Sequence, residues 1–276
     1  MGVEAGTSGF APIFVWNGRY RDNERENMIY KLEHPSKAAP LFAGWEETII
    51  WSCLQGIMGE IYVDDVDQPT AAKAVLGDFA FFAGRPGVEL ILHEVRKGMI
   101  LVPREEAWAL CIEECLSGKV KAALRYAILK EENVFEKEKL QQYAAALPLG
   151  YELRMIDEKL YRQCLQEEWS ADLVKQFESY ELFARYALGV VAIRADEIAA
   201  GASSYSAYDK GIEIEVDTKE EHRRKGLATA CAAQLILKCL EKGWYPSWDA
   251  ANLWSVALAE KLGYHRGEEY MIYEIK

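Results

Sequence analysis

Glu213 and Glu215 stand one residue apart in the run Gly211-Ile-Glu-Ile-Glu-Val-Asp217. On an extended chain two such carboxylates project to one side, opposite Ile212, Ile214 and Val216. A carboxylate held there can collect a proton, directly or through a water. Exposed strand carboxylates with no such role are also common. A second group follows at once: Arg223-Arg224-Lys225-Gly226-Leu227-Ala228 is basic, contains a glycine and runs into Thr229 and a helical apolar pattern. The start of a helix offers unpaired backbone N–H groups and the positive end of the helix dipole, which suits an anion such as a phosphate. A solvated charge run that merely opens a helix has the same composition.

The elements that must position these groups are legible in the second half of the chain. The spacing predicts a strand over 151–156 and a helix capped by Asp157 through Leu165, then a further helical stretch over 171–180. Strands are expected over 187–194, 198–205 and 211–216, joined by turn residues. Apolar residues at helical spacing, Leu227, Cys231 and Leu235 among them, predict a helix through Lys242 that stops at Gly243. A strand over 244–248, a helix over 252–262 stopped by Gly263, and a strand over 269–275 complete this half. Asn252 suits the N-cap of its helix.

The first half is harder to read. A helix is expected near 36–43, strands near 48–54, 60–63, 74–82 and 99–102, a helix over 105–116 and a strand near 120–128. A charged helical run over 131–142 is followed by Ala144-Ala-Ala-Leu-Pro-Leu-Gly150, where the chain is divided. Residues 1–147 and 148–276 are thus expected to form two packed domains, both mixed α/β with a mainly antiparallel central sheet flanked by helices.

Composition narrows the function classes. The chain has 276 residues, half of them apolar, enough for a sizeable core. A net charge of −12 argues against a general nucleic-acid surface; it is compatible with a cleft that attracts amines, but an acidic surface is more commonly only a solubility device. No apolar run approaches the ~20 residues that span a bilayer. The Phe10–Trp16 stretch is too short for a signal-peptide core, and Gly2 lacks the hydroxyl residue that myristoylation needs, so a cytoplasmic address is expected. Six cysteines without a CxxC pair and four scattered histidines predict free thiols on helix faces rather than a disulfide framework, and no metal site.

Arg223-x-x-Gly226-x-Ala228 between strand and helix, followed by Asn252-x-x-Ser255 and Lys261-Leu-Gly-Tyr264, resembles the GNAT N-acetyltransferase superfamily over roughly residues 150 to 276. The segment from Trp248 to Tyr264 resembles the branch related to zwittermicin-resistance acetyltransferases. The resemblance implies acetyl-CoA as co-substrate and direct transfer of its acetyl group to a primary amine in a ternary complex, with no metal. It also implies that residues 1–147 shape the acceptor side or are a degenerate copy of the same fold.

Carried over residue by residue, it assigns the coenzyme pyrophosphate to the turn from Arg223 through Arg224, Lys225, Gly226, Leu227 and Ala228 to Thr229. The pantetheine arm falls to the backbone of Ile214 and Val216 and to Asn252, for which capping and ligand contact both stay open. Many members place a tyrosine seven residues after this asparagine as the acid for the departing sulfur; here that position is Ala259. Ser255 is the substitute nearest the motif, with Tyr205 and Tyr208 as others, and Tyr264 reads as core. Glu213 or Glu215 is the candidate base, and Trp248, Trp254 and Tyr205 are candidates to line the acceptor pocket. The partner is expected to be a small amine, in a monomer or an oligomer. A non-catalytic acyl-CoA-binding or regulatory module is the rival reading, and acetylation of protein lysines a third.

Overall fold

The computed structural model describes residues 28–276. Gly2 and the Phe10–Trp16 stretch lie outside the described residues. In chain order the elements are β1 (Tyr30–Lys31), a 3-10 turn over Pro35–Phe42, α1 (Thr48–Leu54), β2 (Glu60–Val63), β3 (Ala71–Leu76), β4 (Phe79–Gly84), α2 (Val88–Leu92), β5 (Ile100–Pro103), α3 (Glu106–Cys115), β6 (Val120–Ile128) and α4 (Lys137–Ala145). The second half continues with β7 (Glu152–Met155), α5 (Glu158–Cys164), α6 (Glu168–Ala171), α7 (Tyr180–Tyr186), β8 (Gly189–Arg194), β9 (Glu197–Tyr208) and β10 (Gly211–Thr218). It ends with α8 (Leu227–Lys242), β11 (Tyr245–Ser247), β12 (Asp249–Ala250), α9 (Leu253–Leu262) and β13 (Arg266–Ile275).

Two sheets organise the molecule. One runs β11-β10-β9-β8-β7; the other runs β1-β2-β3-β4-β5-β13-β6-β12. Pairing is antiparallel except for β4 with β5 and β10 with β11. The fold is therefore mixed α/β with mainly antiparallel sheets and flanking helices, as expected. The larger sheet takes strands from both sides of residue 147: β13 lies between β5 and β6, and β12 extends β6 on its far edge. Ile272 and Tyr205 accordingly belong to the same apolar core as Phe79 and Phe81.

Helix α8 shows why its sequence folds as it does. Leu227, Cys231 and Leu235, with Ala232 and Ile236 beside them, are fully or almost fully buried against the five-stranded sheet. Gly243 ends it in the left-handed conformation, with its N–H returned to the last turn. Asp157 caps α5 by accepting from the N–H of Leu160 at 2.8 Å.

Three expectations fail for identifiable reasons. The β-branched run Thr48–Leu54 is a helix, α1, with Thr48, Ile49, Ile50, Ser52 and Cys53 buried; tertiary packing overrides strand propensity. Residues 74–82 form two strands of a hairpin, because Gly77 adopts φ +56° and turns the chain there. The helix expected over 171–180 is absent: α6 ends at Ala171, and α7 starts at Tyr180 with Ser179 as its cap.

All six cysteines are free, and Cys53, Cys164, Cys231 and Cys239 are buried. Among the described residues no helix is long and apolar enough to cross a membrane.

Candidate functional site

Strand β10 pairs in parallel with β11 only from Gly211 opposite Tyr245 to Glu213 opposite Ser247. After Ser247 the chain leaves this sheet and joins β6 as β12. Ile214 to Thr218 thus keep one hydrogen-bonding edge that no strand covers among the described residues. The splay opens into a cavity of about 1070 Å³, walled by Ile214–Thr218, by Arg223, Arg224 and Gly226–Thr229, and by Asn252, Trp254, Ser255 and Leu258. Backbone edge, basic turn and α9 therefore meet at one groove, although they are far apart in sequence.

The turn has the conformation an anion site needs. Arg224 and Gly226 have φ of +60° and +81°, and alternation with ordinary residues gathers successive N–H groups on one concave side. Among the described residues, the N–H groups of Arg224, Lys225 and Gly226 have no acceptor, and no side chain caps α8. A Cβ at Gly226 would meet nothing within 4 Å. Glycine is required there by its φ, and the absent side chain leaves open space in front of the N–H groups. Arg223 donates through Nε to the carbonyl of Thr218 at 3.2 Å, while the Arg224 side chain is exposed. Lys225 turns the other way: its Nζ donates to the carbonyl of Glu221 at 2.8 Å and to the Tyr151 hydroxyl at 3.3 Å, and it does not line the groove.

The two strand carboxylates lie deeper than alternation alone suggests. Glu213 is 6 % exposed and faces α1, where Thr48 Oγ1 donates to its Oε2. Its Oε1 is buried and has no hydrogen-bond partner among the described residues. Burial is the main reason its pKa rises to about 7, and burial likewise carries Glu215 to about 7, helped by Asp172 and Asp217. Glu215 lines the groove; Glu213 and Glu215 both line a small space of about 50 Å³ adjoining it. Register supports this arrangement, since β9 carries Tyr205 as an extra residue opposite the Glu213–Ile214 step. That bulge sends the Tyr205 ring to the wall shared by both spaces.

On α9, Asn252 Oδ1 accepts from the N–H groups of Trp254 and Ser255, each at 3.0 Å, so it caps the helix. Its side-chain NH2 stays available at the groove wall. Ser255 Oγ accepts from Trp248 Nε1 at 3.0 Å, leaving its own proton to donate. Trp248, Trp254 and Tyr205 all line the groove, and Trp254 is 87 % exposed. Tyr205 accepts through its hydroxyl from the Asp78 N–H at 3.0 Å, and burial holds its pKa well above the usual phenol range. Tyr208 does not line the groove; its hydroxyl lies 3.0 Å from Ser247 Oγ. Ala259 is fully buried and turned into the core, whereas its neighbour Leu258 faces the groove. Tyr264 is core, donating from its hydroxyl to the carbonyl of Pro246 at 2.6 Å.

Other groups here were not among the expected site residues. Half-buried Glu47, immediately before α1, has its pKa pushed to about 8 by burial, then by Asp249 and Glu213. Asp249 accepts from Arg125 Nε at 2.6 Å and from the Tyr270 hydroxyl at 2.7 Å. Glu47, Asp249, Arg125 and Tyr270 all line the small space beside Glu213. Only Asp249, within the Trp248–Tyr264 segment, carried any local signal; the others are brought in by the larger sheet.

The model of the family described as GNAT acetyltransferase matches residues 39–273. The chain belongs to this family. A GCN5-related N-acetyltransferase-like protein from Streptococcus suis 89/1591 is 47 % identical, with a TM-score of 0.85, and the match covers 88 % of this chain and 99 % of that one. The uncharacterized N-acetyltransferase YdfB of Bacillus subtilis (strain 168) is 27 % identical over 241 residues, 82 % of this chain and 89 % of that protein. A tandem GNAT protein from the clavulanic acid biosynthesis pathway shares the fold at a TM-score of 0.52 and 12 % identity, covering 89 % of this chain and 98 % of that one. Membership makes this an acyltransferase, and the family match extends through both halves of the chain.

Proposed function

We propose that the chain is an acetyl-CoA-dependent N-acetyltransferase acting on a small primary amine by direct attack in a ternary complex. The observation that carries this is the splay of β10 from β11, with an unpaired strand edge leading to unpaired N–H groups at the start of α8. Those groups fit the coenzyme: the turn from Arg223 to Thr229 would hold the pyrophosphate, and the backbone of Ile214 and Val216, with the Asn252 amide, the pantetheine arm. When bound, acetyl-CoA supplies the thioester carbonyl, and the overall change is amine plus thioester to amide plus thiol.

The chain's own residues then have separate tasks. Glu213, buried with one oxygen unpartnered, takes the proton the amine must lose; a carboxyl raised to about 7 is poised to do so near neutral pH. Glu215, one step along the strand at the groove wall, is the second candidate for this task. Ser255, whose hydroxyl proton is not used by Trp248, donates toward the departing thiolate. Residues 148–276 form the coenzyme-binding domain. Residues 1–147 shape the acceptor side, which is supported by Thr48 of α1 donating to Glu213. The narrower likeness of Trp248–Tyr264 to zwittermicin-resistance acetyltransferases favours a small-molecule acceptor over a protein lysine. The cytoplasm, where acetyl-CoA is available, is the proposed location.

The test is calorimetric titration with acetyl-CoA, followed by thiol release with a panel of primary amines. Tight coenzyme binding together with amine-dependent thiol release is expected. Binding with no acetylation of any amine would leave the non-catalytic acyl-CoA-binding module in its place.

A further inference from the structure

The groove does not end at Glu215. The space of about 50 Å³ beside Glu213 shares Phe79, Arg125, Tyr205, Ile214, Glu215 and Asp249 with it. That same neck shares Glu47, Phe81, Asp249 and Tyr270 with a further cavity of about 330 Å³ on its far side. This far cavity is built by other parts of the chain: the Gly44–Glu47 segment, the end of β5 and β13. A continuous lining therefore leads from the coenzyme groove, past the Glu213 carboxyl, to a second chamber.

The charged groups along this path are unevenly engaged. Arg125 is paired to Asp249. Arg104 donates to the carbonyls of Leu41 and Ala43 at 2.8 and 2.6 Å and lies over the Trp45 ring. Lys130 donates to the carbonyl of Glu46 at 2.9 Å and lies over the Trp51 ring. Each cation of the neck and chamber thus has a protein partner. Of the carboxylates, Asp249 is paired and Glu213 is bonded at one oxygen to Thr48, but three others are unengaged. Among the described residues no ion pair or side-chain hydrogen bond engages Glu46, Glu47 or Glu268, while Glu269 lies 3.3 Å from Arg266. Glu213, which lines the neck, adds a buried oxygen with no partner. A buried carboxyl oxygen without a partner is costly and marks a place where a ligand donor completes the bonding.

From this geometry we propose that the acceptor is an unbranched aliphatic diamine or polyamine that enters through the far chamber. Its reacting amine lies in the neck against Glu213 and Glu47, and its second ammonium group stays in the chamber near Glu46 and Glu268. The proposal rests on the acetyl-transfer reading for what happens at the neck, but not for the binding itself. A neck of about 50 Å³ admits a chain of methylenes and not a ring, since a cavity of about 150 Å³ is what benzene fills. Trp45, Phe81 and Tyr270 supply the apolar and π surface against which such a chain and its cation lie. Because burial keeps Glu47 and Glu213 partly protonated near neutral pH, an arriving ammonium group displaces protons from them.

The experiment titrates the full chain, without coenzyme, with three four-carbon probes, 1,4-diaminobutane, butylamine and 4-aminobutanoate, in buffers of different ionisation enthalpy. The diamine should bind at least about a hundredfold more tightly than the amino acid, with proton release that falls in Glu213→Gln. In the double variant Glu46→Gln/Glu268→Gln, both positions being exposed, the advantage of diamine over butylamine should shrink about fivefold. Equal affinities for the three probes, or an unchanged diamine advantage in the double variant, overturns the proposal. Acetyl-CoA titration of the same samples separates the two readings. Diamine binding without coenzyme binding upholds the amine site and refutes acetyl transfer, whereas coenzyme binding without diamine preference overturns the amine site and leaves the acetyl-transfer reading to the thiol-release assay.

Discussion

Replacing Glu213 by Gln should make the protein more stable and nearly inactive, two effects of opposite sign from one buried carboxyl. The amide oxygen can still accept from Thr48, and the side chain keeps its volume, so packing is preserved. What changes is ionisation. Burial carries the native carboxyl from 4.5 to about 7. A native pKa above the unfolded one means that the folded state binds more protons between the two values, so stability falls as pH rises through this window. Keeping the charge costs on the order of 3 kcal/mol at pH above 7, because each tenfold change in proton affinity is worth about 1.4 kcal/mol. Glu213→Gln removes that cost, and part of the repulsion from Asp249 with it. Urea unfolding at pH 8.5 should show the variant more stable by up to about 3 kcal/mol, and at pH 4 the two proteins should coincide. Thiol release should meanwhile fall by about 10²–10⁴-fold, and the rise in wild-type rate as pH passes through about 7 should vanish. Equal stability at pH 8.5 would refute the account of the buried charge. Full activity in the variant would refute the base assignment, whatever the stability.

Two further substitutions probe the groove. Gly226→Glu should abolish acetyl-CoA binding, because its carboxylate enters the space before the N–H groups. The strain at φ +81° costs only about 1–2 kcal/mol, so the circular dichroism spectrum should be retained. Ala259→Tyr should not raise turnover: it overpacks a fully buried site and should lower stability by about 1–3 kcal/mol, measured by denaturant midpoint.

The groove is more legible in the sequence than the space behind it. Arg223-x-x-Gly226-x-Ala228 and Asn252-x-x-Ser255 are local patterns whose chemistry, helix starts and caps, is fixed by neighbours in the chain. Strand β10 itself alternates apolar and charged residues, so its Glu213–Glu215 pair can be read directly. The acidic neck cannot. Glu47, Arg125 and Tyr270 meet Glu213 because β6, β12 and β13 form one sheet with strands from the first half, and no local periodicity reports a pairing across so many residues. The depth of Glu213 is hidden for the same reason: the face opposite Ile212 and Ile214 is covered by α1, whose β-branched sequence reads as a strand. Ala259 shows a different limit. Counting from Asn252 gives its position in the motif, but the turn of α9 puts Leu258, not Ala259, toward the groove.

The insertion of β13 between β5 and β6 bears on how the molecule is made. Of all the described strands, β13 leaves the ribosome last, and β12 only shortly before it. Among the described residues, strand β6 pairs with these two strands alone. Throughout translation of the intervening stretch, β6 and one edge of β5 wait with their backbone groups unsatisfied, and Phe79 and Phe81 lack their contact with Ile272. Long-range pairing of this kind is slow and leaves edges exposed to the wrong partners until it closes. The chamber and the neck take their shape from the same closure, so the Arg223–Thr229 turn is synthesised before the strand that completes them.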